Sequence, residues 1–149
     1  MTFKVFTDGG SRGNPGPAAC AFVIYSDAGV LQDKRGKPLD FAQGKYLGVA
    51  TNNEAEYYGV IEALCHPELA RPERDRRVSG SKINFYLDSL LVVNQLNGLW
   101  KIKEPRLREL LMKVKQLENN RQITYTHVPR EQNAEADLLV NETLDNQKI

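Results

Sequence analysis

The chain has 149 residues, 41% of them hydrophobic, 26% charged and 8% aromatic, an ordinary globular composition with room for one domain, residues 1–149, and not two. Twenty Lys and Arg face nineteen Asp and Glu for a formal net charge of +1, so neither a basic nucleic-acid coat nor an acidic disordered tail describes the whole chain, and any polyanion is bound locally. Apolar runs fall short of the roughly 20 residues of a membrane span and Met1 leads straight into a strand-like segment, so no membrane association and a cytoplasmic location are expected.

Residues 3–7, Phe-Lys-Val-Phe-Thr, alternate and run into Asp8-Gly9-Gly10, a strand stopped by turn chemistry. Ser11 to Pro17 reads as a loop. Residues 18–25 and about 41–50 carry β-branched and aromatic side chains on either side of the turn-rich stretch Ser26 to Pro38, which predicts an antiparallel meander of three strands. Thr51 or Asn52 can cap a helix through Cys65, with Glu54 as a first-turn acid suited to the helix dipole. Pro67 and Pro72 enclose a polar stretch to Gly80, predicted to be an exposed loop or a helical irregularity. Ile83, Phe85 and Leu87 then alternate into Asp88, and Ser89 can cap a helix to Leu96 that Asn97-Gly98 interrupts. Pro105 suits a first helical position, with Leu107, Leu110, Leu111, Val114 and Leu117 at helical spacing and Asn119-Asn120 as a stop. Gln122 to Val128 is a fifth strand, and a last helix runs from about Gln132 to Leu144. The order βββαβααβα predicts an α/β fold, a five-stranded mixed sheet flanked by helices.

Two basic clusters stand out: five Lys and Arg from Arg71 to Lys82, and six from Lys101 to Lys115. A solvated loop and a solvated helix face explain them as well as a phosphate-binding surface does. Cys20 and Cys65 sit in apolar segments without C-x-x-C spacing, and both are expected in the core rather than in a disulfide or a zinc site. Trp100 is expected to be a packed aromatic rather than a base-stacking platform.

Four acids carry the chemistry. Asp8 and Asp88 each close a short strand, opposite in parity to Phe3 and Val5 or to Ile83, Phe85 and Leu87. Parallel pairing of those strands, roughly 4.8 Å apart, brings the carboxylates together at the sheet edge where α/β proteins place ligands. Glu56 shares a helical face with Val60 and Ala63 and points toward the sheet. Asp137 lies early in the last helix. Each acid also has a local explanation as a turn residue or helix-terminal charge. Jointly, without matching Arg or Lys nearby in sequence, they suggest an oxygen-only site for a hard cation, Mg²⁺ or Mn²⁺.

The blocks Thr7-Asp8-Gly9-Gly10-Ser11-Arg12-Gly13-Asn14-Pro15-Gly16, Thr51-Asn52-Asn53-Glu54-Ala55-Glu56-Tyr57, Asp88-Ser89 and His127-Val128-Pro129-Arg130-Glu131-Gln132-Asn133-Ala134-Glu135-Ala136-Asp137 resemble, in order and spacing, the four motif blocks of the ribonuclease HI family. Within that family, Asn97-Gly98 and Trp100 to Pro105 are similar to the short link of its compact archaeal-type and related bacterial branch. The resemblance implies the ribonuclease H-like fold, as well as endonucleolytic cleavage of the RNA strand of an RNA/DNA hybrid that leaves 5′-phosphate and 3′-hydroxyl ends. It implies two Mg²⁺ or Mn²⁺ ions held by Asp8, Glu56, Asp88 and Asp137: Asp8 bridges both, Asp137 holds the nucleophile side, and Glu56 and Asp88 the leaving-group side. His127 matches the family histidine that assists proton movement or product release. Asn14, Asn52 and Asn53 match positions at the ribose edges and Thr51 one near a DNA phosphate, with Gly9, Gly10, Ser11 and Ser89 completing the implied substrate surface.

Departures from the family pattern are equally specific. Leu90 stands where relatives often carry a polar residue. The long basic protrusion of some bacterial members is absent, and no hybrid-binding domain is expected before Asp8. Lys101, Lys103 and Arg106 are the expected substitute phosphate contacts, with strongly salt-dependent affinity. No protein partner is evident and a monomer is expected. Another nuclease or a strand-transferase on the same fold, a binding module without catalysis, and a structural protein whose acids serve only as caps are the rival readings.

Overall fold

The computed structural model describes residues 2–26, 31–33, 35–67, 69 and 82–147. Five long strands form one sheet: β1 (Thr2–Ser11), β2 (Gly16–Tyr25), β5 (Phe41–Ala50), β6 (Lys82–Leu87) and β7 (Gln122–His127), in the order β5-β2-β1-β6-β7. β1, β2 and β5 pair antiparallel, while β6 joins β1 and β7 joins β6 in parallel. This is the predicted mixed sheet. Two short strands, β3 (Leu31–Gln32) and β4 (Pro38–Leu39), form a separate ribbon inside the turn-rich stretch, an addition to the predicted strands. Asp33 shapes its turn by accepting from the Arg35 and Lys37 backbone N–H groups and from the Tyr25 hydroxyl.

The helices divide between the two faces. Odd-numbered β1 and β6 side chains, Phe3, Val5, Ile83, Phe85 and Leu87, pack with α1 (Asn52–Cys65), α2 (Leu90–Leu96) and α3 (Pro105–Glu118) into the main core. On the other face Ala19, Ala21 and Val23 of β2 meet Ala136, Val140 and Leu144 of α4 (Ala134–Asn146). Both faces of β2 are therefore covered, and nearly all of its residues are buried, as a central strand between two helical layers requires. α4 passes so close to the edge strand that a Cβ at Gly44 would lie 2.1 Å from Thr143 Oγ1.

Several expectations are corrected. β1 does not stop at Thr7: Asp8 through Ser11 continue the antiparallel ladder against Ala21 through Ala18, because strand pairing outweighs the local turn preference of Asp-Gly-Gly. Asp8 therefore lies within a strand and does not close one. Cys20 is buried but Cys65 is exposed, since the helix period carries the buried stripe through Ala63 and Leu64 and leaves Cys65 off it. Trp100 is 46% exposed, because Gly98, with φ +74°, turns the chain out of α2 while the Leu99 and Trp100 N–H groups close back on the Asn94 carbonyl. The last helix is preceded by a 3₁₀ turn, Arg130–Asn133. Of the basic stretch from Arg71 to Lys82, Lys82 opens β6, and residues 71–81 lie outside the described residues. No helix among the described residues is long and apolar enough to cross a membrane.

Candidate active site

The β1–β6 register sets the centre of the site. Thr2 pairs with Lys82 and each later residue with its counterpart 80 positions on, as far as Phe6 with Tyr86. Continued by two residues, that register sets Asp8 beside Asp88, where β6 has ended and β1 runs on. Both acids have even parity and so project opposite to the apolar alternation that faces the main core. α1 supplies the third acid. A Cβ on Gly9 would fall 2.2 Å from the Ala55 carbonyl carbon, so only glycine lets the first turn of α1 lie against β1 there. The approach is fixed by the Gly9 N–H donating to Glu56 Oε1 at 3.3 Å. Thr51 caps the helix in a full capping box: its hydroxyl accepts from the Glu54 N–H and the Glu54 carboxylate accepts from the Thr51 N–H. Glu54 is thus the first-turn acid expected of it.

Asp8, Glu56 and Asp88 offer carboxylate oxygens that all lie within 4.8 Å of one another. Asp8 is 5% and Glu56 6% exposed. Burial, then the Asp88 and Asp137 charges, push the Asp8 carboxyl up to about 7. Glu56 is raised well above the ordinary carboxylate range by burial and by Asp8 and Asp88. Asp88 is raised by burial, with Asn133 and Arg130 opposing. Crowded anions in a poorly solvated place hold protons in this way unless a cation takes their place. Glu56 Oε2 is buried without a hydrogen-bond partner, an arrangement rare for a carboxylate oxygen and fitted to a metal ligand. The donor set is all oxygen, which suits a hard divalent cation such as Mg²⁺ or Mn²⁺.

The three acids sit in an open depression of about 370 Å³. Asp137, in the first turn of α4, lines the same depression outside the closest trio. Gly9, Gly10, Ser11, Asn52, Asn53 and Ser89 also line it. Asn14 and Thr51 do not line it. Asn14 Oδ1 accepts from the Asn52 N–H at 3.0 Å, and Asn52 Oδ1 accepts from the Ser11 N–H at 2.8 Å, so the loop after β1 and the start of α1 form one connected unit. His127 ends β7 as an exposed residue, in register with Leu87 beside Asp88. Lys101 and Lys103 are exposed on the link between α2 and α3, away from the depression; Arg108 holds that link by donating to the Ile102 and Lys103 carbonyls. Arg106 is tied to Glu54, Glu109 and the Tyr58 hydroxyl.

Sequence reading gave no role to three polar residues of this wall. Asn133 is 1% exposed and donates from Nδ2 to the Thr7 carbonyl at 2.8 Å, pinning β1 just before Asp8 to the start of α4. Arg12 and Arg130 line the depression. Their positions within the motif blocks were the available signal, but a loop residue's contacts are fixed only by packing.

A family model described as Reverse transcriptase-like matches residues 7–143. LC11-RNase H1, isolated from compost by a metagenomic approach, is 37% identical with a TM-score of 0.80, covering 97% of this chain and 96% of that one. The chain belongs to the ribonuclease HI family. A further structure in this family is LC11-RNase H1 in complex with an RNA/DNA hybrid, 36% identical with TM-score 0.80 and 97% of each chain covered. RNase H1 of the archaeon Halobacterium salinarum is 36% identical with TM-score 0.79, over 98% of this chain and 99% of that one. The bifunctional protein Rv2228c of Mycobacterium tuberculosis is 35% identical over 97% of this chain. The chain spans 36% of that protein's length, so it corresponds to about a third of the first curated relatives it matches. The ribonuclease HI fold is thus present over nearly the whole chain, as its sheet order and helical layers already indicate.

Proposed function

We propose that the chain is a divalent-metal-dependent endoribonuclease that hydrolyses the RNA strand of RNA/DNA hybrids, leaving 5′-phosphate and 3′-hydroxyl ends. The observation that carries this reading is the meeting of Asp8, Glu56 and Asp88 within 4.8 Å, with Glu56 Oε2 buried and unpaired, in a family whose member LC11-RNase H1 has been captured with such a hybrid. Asp8, Glu56, Asp88 and Asp137 would hold two Mg²⁺ or Mn²⁺ ions. Bound there, the ions supply Lewis acidity to the phosphodiester and lower the pKa of an attacking water.

The chain's own residues do the rest. The Gly9 N–H keeps one Glu56 oxygen fixed and leaves the other for a ligand. Net hydrolysis forms a bond from water oxygen to phosphorus and breaks the bond to the 3′-oxygen, which leaves with a proton; His127, exposed at the end of β7 in register with Leu87, takes part in moving protons to and from solvent. The unit of Ser11, Asn14 and Asn52, with Asn53, presents amide and hydroxyl groups to the ribose 2′-hydroxyls that distinguish RNA from DNA. Gly9, Gly10 and Ser89 shape the floor, Thr51 faces the phosphate side, and Lys101 and Lys103 meet backbone phosphates further out.

The test is cleavage of an end-labelled RNA strand offered as hybrid, duplex RNA or single strand, in Mg²⁺, Mn²⁺ or EDTA, with Asp8→Asn alongside. Metal-dependent cutting confined to the hybrid and lost in the variant is expected. Folded protein that cuts none of the three refutes the enzyme reading in favour of a binding module, and equal cutting of all three refutes the strand discrimination.

A further inference from the structure

We propose that Arg12 is a phosphate-binding residue of the cleft, held against Asp145 in the free protein and transferred to a backbone phosphate of the strand that enters the acidic depression. This rests on the hybrid-cleaving reading above. A polyanion must enter a depression walled by four carboxylates, so cations on the same wall decide how well it is held. Arg130 lies on the Asp88 side, where its charge reaches that carboxylate. Arg12 stands on the α4 side: its Nη2 approaches the Asn141 carbonyl at 3.5 Å and Asp145 Oδ1 at 2.7 Å. Those partners lie one and two turns beyond Asp137, about 6 and 12 Å of helix rise. A strand with one phosphate among the acids carries its neighbouring phosphates along this wall.

The backbone that presents Arg12 is firmly set. Its N–H donates to the Pro17 carbonyl at 2.8 Å, and a Cβ at Gly16 would come within 2.3 Å of its carbonyl oxygen. The side chain is not so confined. The Arg12 and Asp145 side chains are 35% and 59% exposed, and an ion pair so open to water is weak and exchangeable. Both contacts fall on Nη2, whereas the guanidinium carries five N–H donors in a fork that matches two phosphate oxygens. Asp145 is also misplaced as a helix stabiliser. It lies in the last turn of α4, which has no basic residue of its own, and negative charge at a helix C-terminus is unfavourable. Its place is explained by what it holds.

The experiment measures KM and kcat for hybrid cleavage across a salt series for wild type, Arg12→Ala, Asp145→Asn and the double variant, with melting temperatures as a check on folding. Arg12→Ala should raise KM about tenfold, as loss of a charge-assisted contact does, leave kcat within about twofold, and lower the salt slope of log KM by about one, the signature of one lost phosphate contact. Asp145→Asn should lower KM about twofold by releasing Arg12, and should have no effect on KM when Arg12 is already Ala. A merely structural role for Arg12 does not change the salt slope. An unchanged KM and slope in Arg12→Ala overturns the proposal, as does an Asp145→Asn effect that persists undiminished in the double variant, which would be long-range charge alone. If the wild-type protein cleaves no hybrid, the function reading itself falls and this assignment falls with it.

Discussion

Asp8→Asn is predicted to stabilise the metal-free protein while abolishing metal binding. Asp8 is nearly inaccessible, and its carboxyl rises from an ordinary 3.8 to about 7, through burial first and the Asp88 charge second. A carboxyl pKa raised on folding means that the native state binds the proton more tightly than the unfolded chain. Below about pH 4 both states are protonated and there is no penalty; from there to about pH 7 stability falls as pH rises, and above about 7 the penalty is complete. At about 1.4 kcal/mol for each tenfold change in proton affinity, the full penalty is about 4 kcal/mol. A neutral Asn escapes it and also removes one of the charges that raise Glu56, but its amide is still a polar group buried away from water, which offsets part of the gain. A net gain of about 2 kcal/mol at pH 8 follows, worth about 4 to 8 °C in Tm for a chain of this size. Urea unfolding in EDTA at pH 8 and near pH 4 measures it, and the gain should vanish at the lower pH. Adding Mn²⁺ should raise the wild-type Tm and leave that of Asp8→Asn unmoved, because only the wild type gains binding energy. A gain of equal size at both pH values, or a loss of stability at pH 8, would refute the argument that repulsion among buried carboxylates sets the cost.

Three further substitutions probe the frame that holds the acids. Gly9→Ala must drive β1 from α1, since the new Cβ would stand 2.2 Å from the Ala55 backbone; about 3 kcal/mol or more of stability should be lost in denaturant titration, together with Mn²⁺ affinity in calorimetry. Tyr57→Phe removes the hydroxyl that donates to Gln95 Oε1 at 2.8 Å and leaves that buried amide short of a partner, for a loss of about 1 to 3 kcal/mol. Thr51→Ala breaks the capping box and should cost about 1 kcal/mol in urea unfolding, most of it restored by Thr51→Ser.

The regular part of this fold is legible because its side chains repeat. Phe3 and Val5, then Ile83, Phe85 and Leu87, alternate with period two, and α3 carries Leu107, Leu110 and Val114 on one stripe, so strands, helices and the parity of Asp8 and Asp88 follow from local pattern alone. What is not legible depends on distant partners. The strand continues through Asp8-Gly9-Gly10 because Ala21, Cys20 and Ala19 stand opposite them, a pairing with no trace in residues 8–10 themselves. Gly9 looks like a turn glycine, yet its use is to admit α1. The exposure of Cys65 and Trp100 is hidden for a related reason: an apolar neighbourhood in sequence does not say which side of a helix, or of a chain reversal at Gly98, a side chain takes. The ribbon around Asp33 and the pinning of β1 by Asn133 depend on short polar side chains whose partners are chosen only when the chain has folded.

The site's position follows from β1 pairing differently along its two edges. Along one edge it pairs in parallel with β6 as far as Phe6 and Tyr86; along the other it continues antiparallel to β2 as far as Ser11. Asp8 falls where the first partner has ended and the second continues, so its backbone is still held while its side chain and that of Asp88 face a gap. α1 closes one side of that gap through Gly9, and α4 closes another through Asn133 and the Thr7 carbonyl. Each acid is therefore held by a separate element of the layered core. That separate support lets the fold tolerate three carboxylates within 4.8 Å: the backbone under each is fixed by its own layer, against roughly 4 kcal/mol of repulsion and burial at Asp8. The crowding therefore persists without a cation, and it is the same crowding that makes the pocket favourable for one.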